Sequence, residues 1–555
     1  MTADRVTEAA RDLLPTTDID LGRSFLDHGG DSLGAIRLAR RLEQSLGVEV
    51  DALDVIESAS LRALGDLLAS RGPGDSETPG DGPGPVTPLP IEPHYAASPV
   101  QQSLYLLDQM TAEADAVTLP TVLWYNAALD EQAAGQAFRD VLDRHEILRT
   151  TFSFEAGHVV QVVNPFSPNA RGSSPDWTFS WTDARGRPED VERELAAAYQ
   201  TALNTRLDPA IGPVARLSLV VAGPSLTVGF LTLHHIVSDD FSAAVIDADF
   251  RRAYDHAVRD TVLAAGLGRG EPLPFQYRDY AHWLRDWLGT QAGRDQLAWW
   301  REHLSGSAGG RAFPAGGPGS PSFAAARYDN RLDEDPRSRV SRMARERGTT
   351  TSVILASCVK VMLLLRYGAP AAMLGVAVTT PPPGREDAGL THVGPYVNTL
   401  PVSVPITGAT TFRELARLMA EEMHGAVAHR TVPLEAIQTS VGCADPLFDV
   451  GFTLQKRGRP ASRLAAELPA AARLEEHYRA DSLAIRLLFT VFEEPDHLHL
   501  RIRYQTGMFS RPEITAVYQD LVRVVQAVSE RPDDPVGELS GYPVLAPSDG
   551  GGVSR

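Results

Sequence analysis

Within residues 1–70, apolar positions recur at helical spacing in three places. Val6 to Leu14 carries one such run, and Leu61 to Leu68 gives a short amphipathic one. Between them, Ser32 to Leu46 sets Leu33, Ile36, Leu38, Leu42 and Leu46 on a broad apolar face. The pattern predicts a small all-α unit of three or four short helices, with a long loop before the second. The stretch from Arg71 to Pro90, RGPGDSETPGDGPGPVTPLP, then offers almost nothing to bury. Its glycines and prolines predict an extended, flexible linker.

Beyond the linker the pattern is mixed. Ala97 to Met110 and Glu131 to His145 read as helices, and Val214 to Val221 and Leu226 to Leu233 as strands joined by the turn Ala222 to Ser225. Helical periodicity returns at Tyr277 to Leu288 and Gln296 to Leu304, followed by a Gly/Pro/Ser-rich segment from Ser305 to Ser322. Thr350 to Tyr367 reads as a helix, Ala372 to Val378 as a buried strand, and Leu487 to Phe492 with Leu498 to Tyr504 as a hairpin. No repeat at a solenoid period is visible, and two α/β halves either side of Ser305 fit the pattern.

Composition narrows the class. A chain of 555 residues exceeds one ordinary core and suggests roughly three or four domain-sized units. Hydrophobic residues at 43% and charged residues at 22% match a soluble globular protein. A net charge of −19 and a pI near 5.3 argue against nucleic acid, which needs a basic surface. The most apolar run, Val353 to Leu365, is short and interrupted by Lys360, so it reads as a buried helix and no membrane association is expected. No apolar segment follows Met1, which argues against a signal peptide. Cys358 and Cys443 are too few for a disulfide framework and fit a reducing cytoplasm, the expected location.

Two segments carry candidate chemistry. The first, FLDHGGDSL from Phe25 to Leu33, has two glycines for a tight turn, then Asp31 and Ser32 opening an apolar-periodic helix. One reading is an N-cap, because Asp and Ser oxygens satisfy orphan backbone N–H groups there. A second is the nucleophile of a Gly-Asp-Ser-Leu hydrolase, with Asp496 and His499 as formal partners. Such a serine should follow a buried strand, whereas Ser32 follows a loop, and its partners lie beyond the linker.

The second segment is LTLHHIVSDDFS, Leu231 to Ser242, where an apolar strand ends in two histidines followed by Asp239 and Asp240. Two core or surface histidines would be the plain account. Metal binding is a weaker one, since adjacent strand residues point to opposite faces. A neutral imidazole with a pKa near 6.5 can instead take a proton from an amine or hydroxyl, provided its loop is held rigid. Arg144 and Arg149, in DRHEILRTTF, are candidate salt-bridge partners for Asp239 in that role.

At this point the chain resembles a known family. FLDHGGDSL is similar to the motif of the peptidyl carrier proteins of non-ribosomal peptide synthetases. His234-His235-x-x-x-Asp239 resembles the signature of their condensation domains, shared with chloramphenicol acetyltransferase-like acyltransferases. SPVQQSLYLL (Ser98 to Leu107), RHEILRTTF (Arg144 to Phe152), YRDYAHW (Tyr277 to Trp283) and VGPYVNTLP (Val393 to Pro401) follow the family's order. HRTVPLE (His429 to Glu435) and DPLFDVGFTLQ (Asp445 to Gln455) complete it.

The resemblance implies a four-helix carrier domain at 1–70, a Pro/Gly linker at 71–92, and a tail at 546–555. Between linker and tail it implies an α/β condensation domain of two chloramphenicol acetyltransferase-like lobes in a V, 93–268 and 269–545. It implies 4'-phosphopantetheine on Ser32, attached by a phosphopantetheinyl transferase. His235 would act as base or positioning group, with His234 and Asp239 structural, and the reaction would be peptide-bond formation, an acyltransfer. Partners would be a downstream acceptor carrier and an adenylation domain, in trans or upstream, because no adenylation signature, Walker loop or thioesterase Gly-x-Ser-x-Gly is present. Asp240 stands where the family has glycine, and Phe241 where tryptophan is usual. Ester formation and a non-catalytic, partner-recruiting module are the competing expectations. No metal is expected, and His28 and His94 are expected at the surface.

Overall fold

The computed structural model describes residues 2–11, 13–14, 18–28, 32–46, 48, 50, 54–55, 58, 60–70, 84–110, 118–165, 178–239, 241–260, 272–305, 310–313, 324–332, 334–380, 391–443, 446–456, 481–483, 485–493 and 497–539. Asp240, the expected turn at 29–31, Asp496 and the expected tail at 546–555 lie outside them.

The N-terminal region is helical, as the periodicity predicts, with helices Thr2–Ala10, Ser32–Leu46 and Leu61–Ser70. Asp54 and Val55 are also helical, but their neighbours lie outside the described residues. The apolar faces close on one another in a separate small core of Val6, Phe25, Leu38, Leu42, Leu64 and Leu68. The loop before Ser32 is tied into it. Phe25 is buried, and so, against expectation, is His28, whose Nδ1 donates to the Ser24 carbonyl at 2.8 Å while Nε2 accepts the Asp20 N–H at 3.0 Å. A short-range polar role at a loop base leaves no periodic trace in sequence, which is why composition alone points to the surface. His94 is exposed, as expected.

The rest of the described chain builds three sheets. Strands β1 (Tyr95–Ala96), β3 (Thr150–Glu155) and β4 (His158–Val163) form one, in the order β1-β4-β3. Strands β2 (Thr118–Tyr125), β5 (Phe179–Asp183), β6 (Ala215–Gly223) and β7 (Leu226–His234) form the second, β2-β7-β6-β5. The third holds β8 (Ala324–Leu332), β9 (Leu374–Thr379), β10 (Val397–Val402), β11 (Val450–Lys456), β12 (Asp481–Ser482), β13 (Leu487–Glu493) and β14 (Leu498–Gln505), in the order β10-β9-β11-β13-β14-β8-β12. The expected hairpins β6/β7 and β13/β14 are both antiparallel pairs.

Helix Thr351–Tyr367 is the interior helix its composition predicts, buried from Val353 to Leu363 with Lys360 among the buried residues. Among the described residues no single helix is long and apolar enough to cross a membrane. Helices Ser242–Asp260, Phe412–Ala428 and Arg511–Glu530 go beyond those the periodicity predicts. Each carries a mixed face that only its packing partner turns into core.

The linker departs from expectation at its C-terminal end. The Leu89 N–H donates to Asp279 Oδ1 at 3.0 Å, Trp283 Nε1 donates to the Gly84 carbonyl at 2.7 Å, and Val86 packs on the core. Tyr95 Oη also donates to the Pro90 carbonyl at 2.9 Å. A proline-rich segment has no internal partners for its backbone groups, so helix Tyr277–Leu288 can supply them. Residues 84–90 are therefore a docked strap, and 71–83 lie outside the described residues.

Candidate active site

Strand β7 is buried along nearly its whole length and delivers the chain to His234 in the protein interior. The chain then tightens into a 3-10 turn, His235–Val237. The Ile236 N–H donates to His234 Nδ1 at 3.1 Å, so the ring proton of His234 sits on Nε2, which faces Asp108 Oδ1 at 3.5 Å. Burial pushes the His234 pKa below the ordinary histidine value against the pull of Asp108, so the ring stays neutral.

His235 has the opposite tautomer. Its Nδ1 lies 2.7 Å from the Ser238 carbonyl oxygen, which can only accept, so Nδ1 carries the proton and Nε2 keeps its lone pair. The ring is half-buried. A basic nitrogen held this way can take a proton from an incoming nucleophile.

Asp239 closes the loop through backbone groups. Its Oδ1 accepts the N–H groups of Phe241 and Ser242 at 3.1 and 3.0 Å and the Ser242 hydroxyl at 2.8 Å. Oδ2 accepts the Tyr396 N–H at 3.1 Å, tying the histidine loop to the Val393–Pro401 motif. The expected arginine pairing is replaced by other contacts: Arg144 Nε reaches Asp249 Oδ2 at 2.9 Å, and Arg149 reaches Glu146 at 3.7 Å. Helix Ser242–Asp260 explains the change, because it brings Asp249 over the Arg144-His145 pair. His145 is buried with Nε2 2.8 Å from the same carboxylate. Burial alone would raise the Asp249 pKa, and His145 with Arg144 and Arg252 outweighs it and holds it below the ordinary range.

The motifs of Ser98, Tyr277 and Val393 meet around this clasp. Tyr277 Oη contacts Ser98 Oγ at 3.1 Å and donates to the Pro395 carbonyl at 3.2 Å. Gly394 makes that approach possible, since a Cβ there would come within 2.2 Å of the Tyr277 ring. Gln101 Nε2 donates to the Ile236 carbonyl at 3.2 Å, and Asn398 Nδ2 donates to the carbonyls of Arg430 and Val432. Asp449, in the last motif, accepts the N–H groups of Ala312 and Phe313. Phe241 is exposed, while Asp240 lies outside the described residues.

Ser32 is the first residue of the helix Ser32–Leu46, and the positive end of a helix dipole suits a phosphate ester. The hydrolase reading loses its histidine: His499 Nε2 pairs with Asp329 Oδ1 at 2.9 Å across neighbouring strands, beside Arg501. Sequence reasoning missed Asp108. It lies one residue past the quoted Ser98–Leu107 motif, on the buried face of the helix with Gln101 and Tyr105, and its residue type alone gives no signal of that place.

Comparison with known proteins agrees with this layout. Residues 91–543 match the model of the condensation domain, and residues 4–68 that of the phosphopantetheine attachment site. The chain is 28% identical over 538 residues to a linear gramicidin synthase of Brevibacillus parabrevis, covering 95% of this chain and 10% of that protein. It is 29% identical to the isonitrile lipopeptide synthase of Mycobacterium tuberculosis, covering 93% of this chain and 20% of that protein. The chain thus spans a small part of the relatives it matches. Among solved structures, the X-domain from teicoplanin biosynthesis is 25% identical with a TM-score of 0.66, covering 82% of this chain and 100% of that one. The first condensation domain of the calcium-dependent antibiotic synthetase is 19% identical with a TM-score of 0.63, covering 80% and 98%.

Proposed function

Because this chain belongs to the condensation-domain family and carries a phosphopantetheine attachment domain ahead of it, we propose that it forms an amide between an acyl donor on its carrier and an amine acceptor on another carrier. The observation that carries this reading is the fixed tautomer of His235, with Nδ1–H held by the Ser238 carbonyl and Nε2 left basic. When attached, on Ser32 in this reading, the arm presents the acyl group as a thioester. His235 Nε2 takes the proton that the amine nitrogen gives up as it bonds to the acyl carbon. The thioester that the arm would supply would provide the leaving sulfur, to which His235 Nε2 would hand on that proton. His234 and Asp239 hold the loop. Ester formation would differ only in the nucleophile, a hydroxyl in place of the amine.

An adenylation domain, in trans or upstream, would load the carrier, a phosphopantetheinyl transferase would modify Ser32, and a downstream carrier would bring the acceptor. Ser32→Ala should abolish the mass gain on treatment with that transferase, and a variant that still gained the arm would rule the site out. A reconstituted assay decides the reaction. Ser32 is loaded with an acyl-pantetheine, amine acceptors are supplied, and product is followed by mass spectrometry in wild type and His235→Ala.

A second reading has its own support. Asp240 replaces the family's glycine beside the active loop, and the X-domain to which this chain is 25% identical has also been solved in a complex with OxyB. In that reading the domain recruits a partner enzyme to a carrier-bound substrate. Absence of product from wild type, for free and carrier-bound acceptors alike, with product restored by Asp240→Gly, would favour it.

A further inference from the structure

We infer that Asp108 is a positioning residue for the proposed acyl transfer: through His234 it fixes the turn that presents His235. The inference rests on that proposed reaction and extends it to a residue on a different element.

Asp108 is buried at the C-terminal end of helix Pro99–Met110. Its Oδ1 faces His234 Nε2 at 3.5 Å, and its Oδ2 accepts from Arg206 Nη2 and Gln109 Nε2, each at 3.3 Å. His234 Nδ1 already accepts the Ile236 N–H, so the proton on Nε2 needs an acceptor in a dry site, and the carboxylate stands there. Without Asp108 the ring must either keep an Nε2–H that no carboxylate faces or move its proton to Nδ1. The second choice sets two donors against each other at Ile236 and opens the turn.

The turn is what aims His235. The His234 carbonyl accepts the Ser238 hydroxyl at 3.0 Å, and the Ser238 carbonyl accepts His235 Nδ1–H at 2.7 Å. One polar path therefore runs from Arg206, 40% exposed, through Asp108 and His234 to the basic imidazole. Gln101, on the same helix as Asp108, grips the Ile236 carbonyl, so this helix holds the turn at two points. Asp108 touches no reacting atom, and its effect passes through the geometry of His235.

The test uses the full chain and two readouts. In spectra of ¹⁵N-labelled histidine, wild type should show His234 protonated on Nε2 and His235 on Nδ1. Asp108→Ala should lose both fixed tautomers, with Asp108→Leu as the variant that fills the volume if alanine does not fold. In the condensation assay, kcat should fall about 10- to 100-fold while KM for the loaded donor stays within about twofold, the pattern of a misaimed group. Asp108→Asn keeps an oxygen for His234 and should restore the tautomers and hold the rate within about threefold of wild type. In the His235→Ala background Asp108→Ala should cost nothing more, because the two act as a unit. Unchanged imidazole signals, or the same fall in the His235→Ala background, would overturn the inference. If wild type forms no product, the proposed reaction fails, and the imidazole spectra still decide whether Asp108 governs His235.

Discussion

His235 Nδ1 lies 2.7 Å from the carbonyl oxygen of Ser238, three residues further along the same turn. A carbonyl cannot donate, so this one contact places a proton on Nδ1 and, in the neutral ring, leaves the lone pair on Nε2. It also makes the placement of this imidazole a property of the local backbone, which the buried contacts of His234 and Asp239 hold in place.

His235→Ala should leave folding intact and lower condensation by about 10²-fold or more, the scale of a lost general base. Product formation against a thermal melt separates the two. A variant within a few-fold of wild type would mean that Nε2 does not carry the proton.

Asp239→Ala removes the carboxylate that accepts from the backbone N–H groups of Phe241, Ser242 and Tyr396 and from the Ser242 hydroxyl, leaving Ser242 and Tyr396 only their second backbone acceptors, the carbonyls of residue 239 and Gly394. Hydrogen bonds to a charged group contribute about 1.5–3 kcal/mol each, so stability should drop by roughly 3 kcal/mol in urea unfolding. Asp239→Asn retains one acceptor oxygen and should lose less. An unchanged midpoint would show that the clasp contributes nothing.

Lys360 is buried in helix Thr351–Tyr367, where its ammonium meets the Ala372 carbonyl and burial drives its pKa down to about 7. The unfolded chain keeps this lysine charged to about pH 10.4. Between these values the unfolded state binds the extra proton, so this group makes stability rise from about pH 7 towards pH 10 and adds no slope below pH 7. Lys360→Met should raise stability at pH 7 and remove that slope. Unfolding of both proteins across pH 6–10 checks it, and parallel curves would count against a lowered pKa.

The strap predicts a protected linker amide. Leu89 N–H donates to Asp279, so its hydrogen exchange should be slow for a proline-rich segment. Asp279→Ala should speed it by about 10-fold or more, consistent with loss of a single hydrogen bond of about 1–1.5 kcal/mol. Fast exchange in wild type would mean that the strap is undocked in solution.

Much of this protein was legible in its sequence, for physical reasons. Helical spacing fixes a face, so Ser32–Leu46, Tyr277–Leu288 and the interior helix around Lys360 fall where periodicity places them. Short runs of β-branched and aromatic residues locate β6 with β7 and β13 with β14, because few residues of sequence separate the strands of each pair. The two histidines and Asp239 stand out because their polarity interrupts an apolar run. The order of motifs carries the family.

What tertiary structure alone decided is which polar group meets which. Charge complementarity in sequence offered Arg144 and Arg149 to Asp239, yet the fold sends Arg144 to Asp249 and meets Asp239 with backbone N–H groups, one of them Tyr396, far along the chain. Backbone donors are present at every residue but proline, so no residue type announces them. The same holds for Asp108, His28 and the strap at 84–90: each is ordinary in sequence and acquires its partner only when burial removes water as the competitor. Periodicity selects the surfaces that pack, while the pairing of buried donors and acceptors is set by the positions at which packing stops.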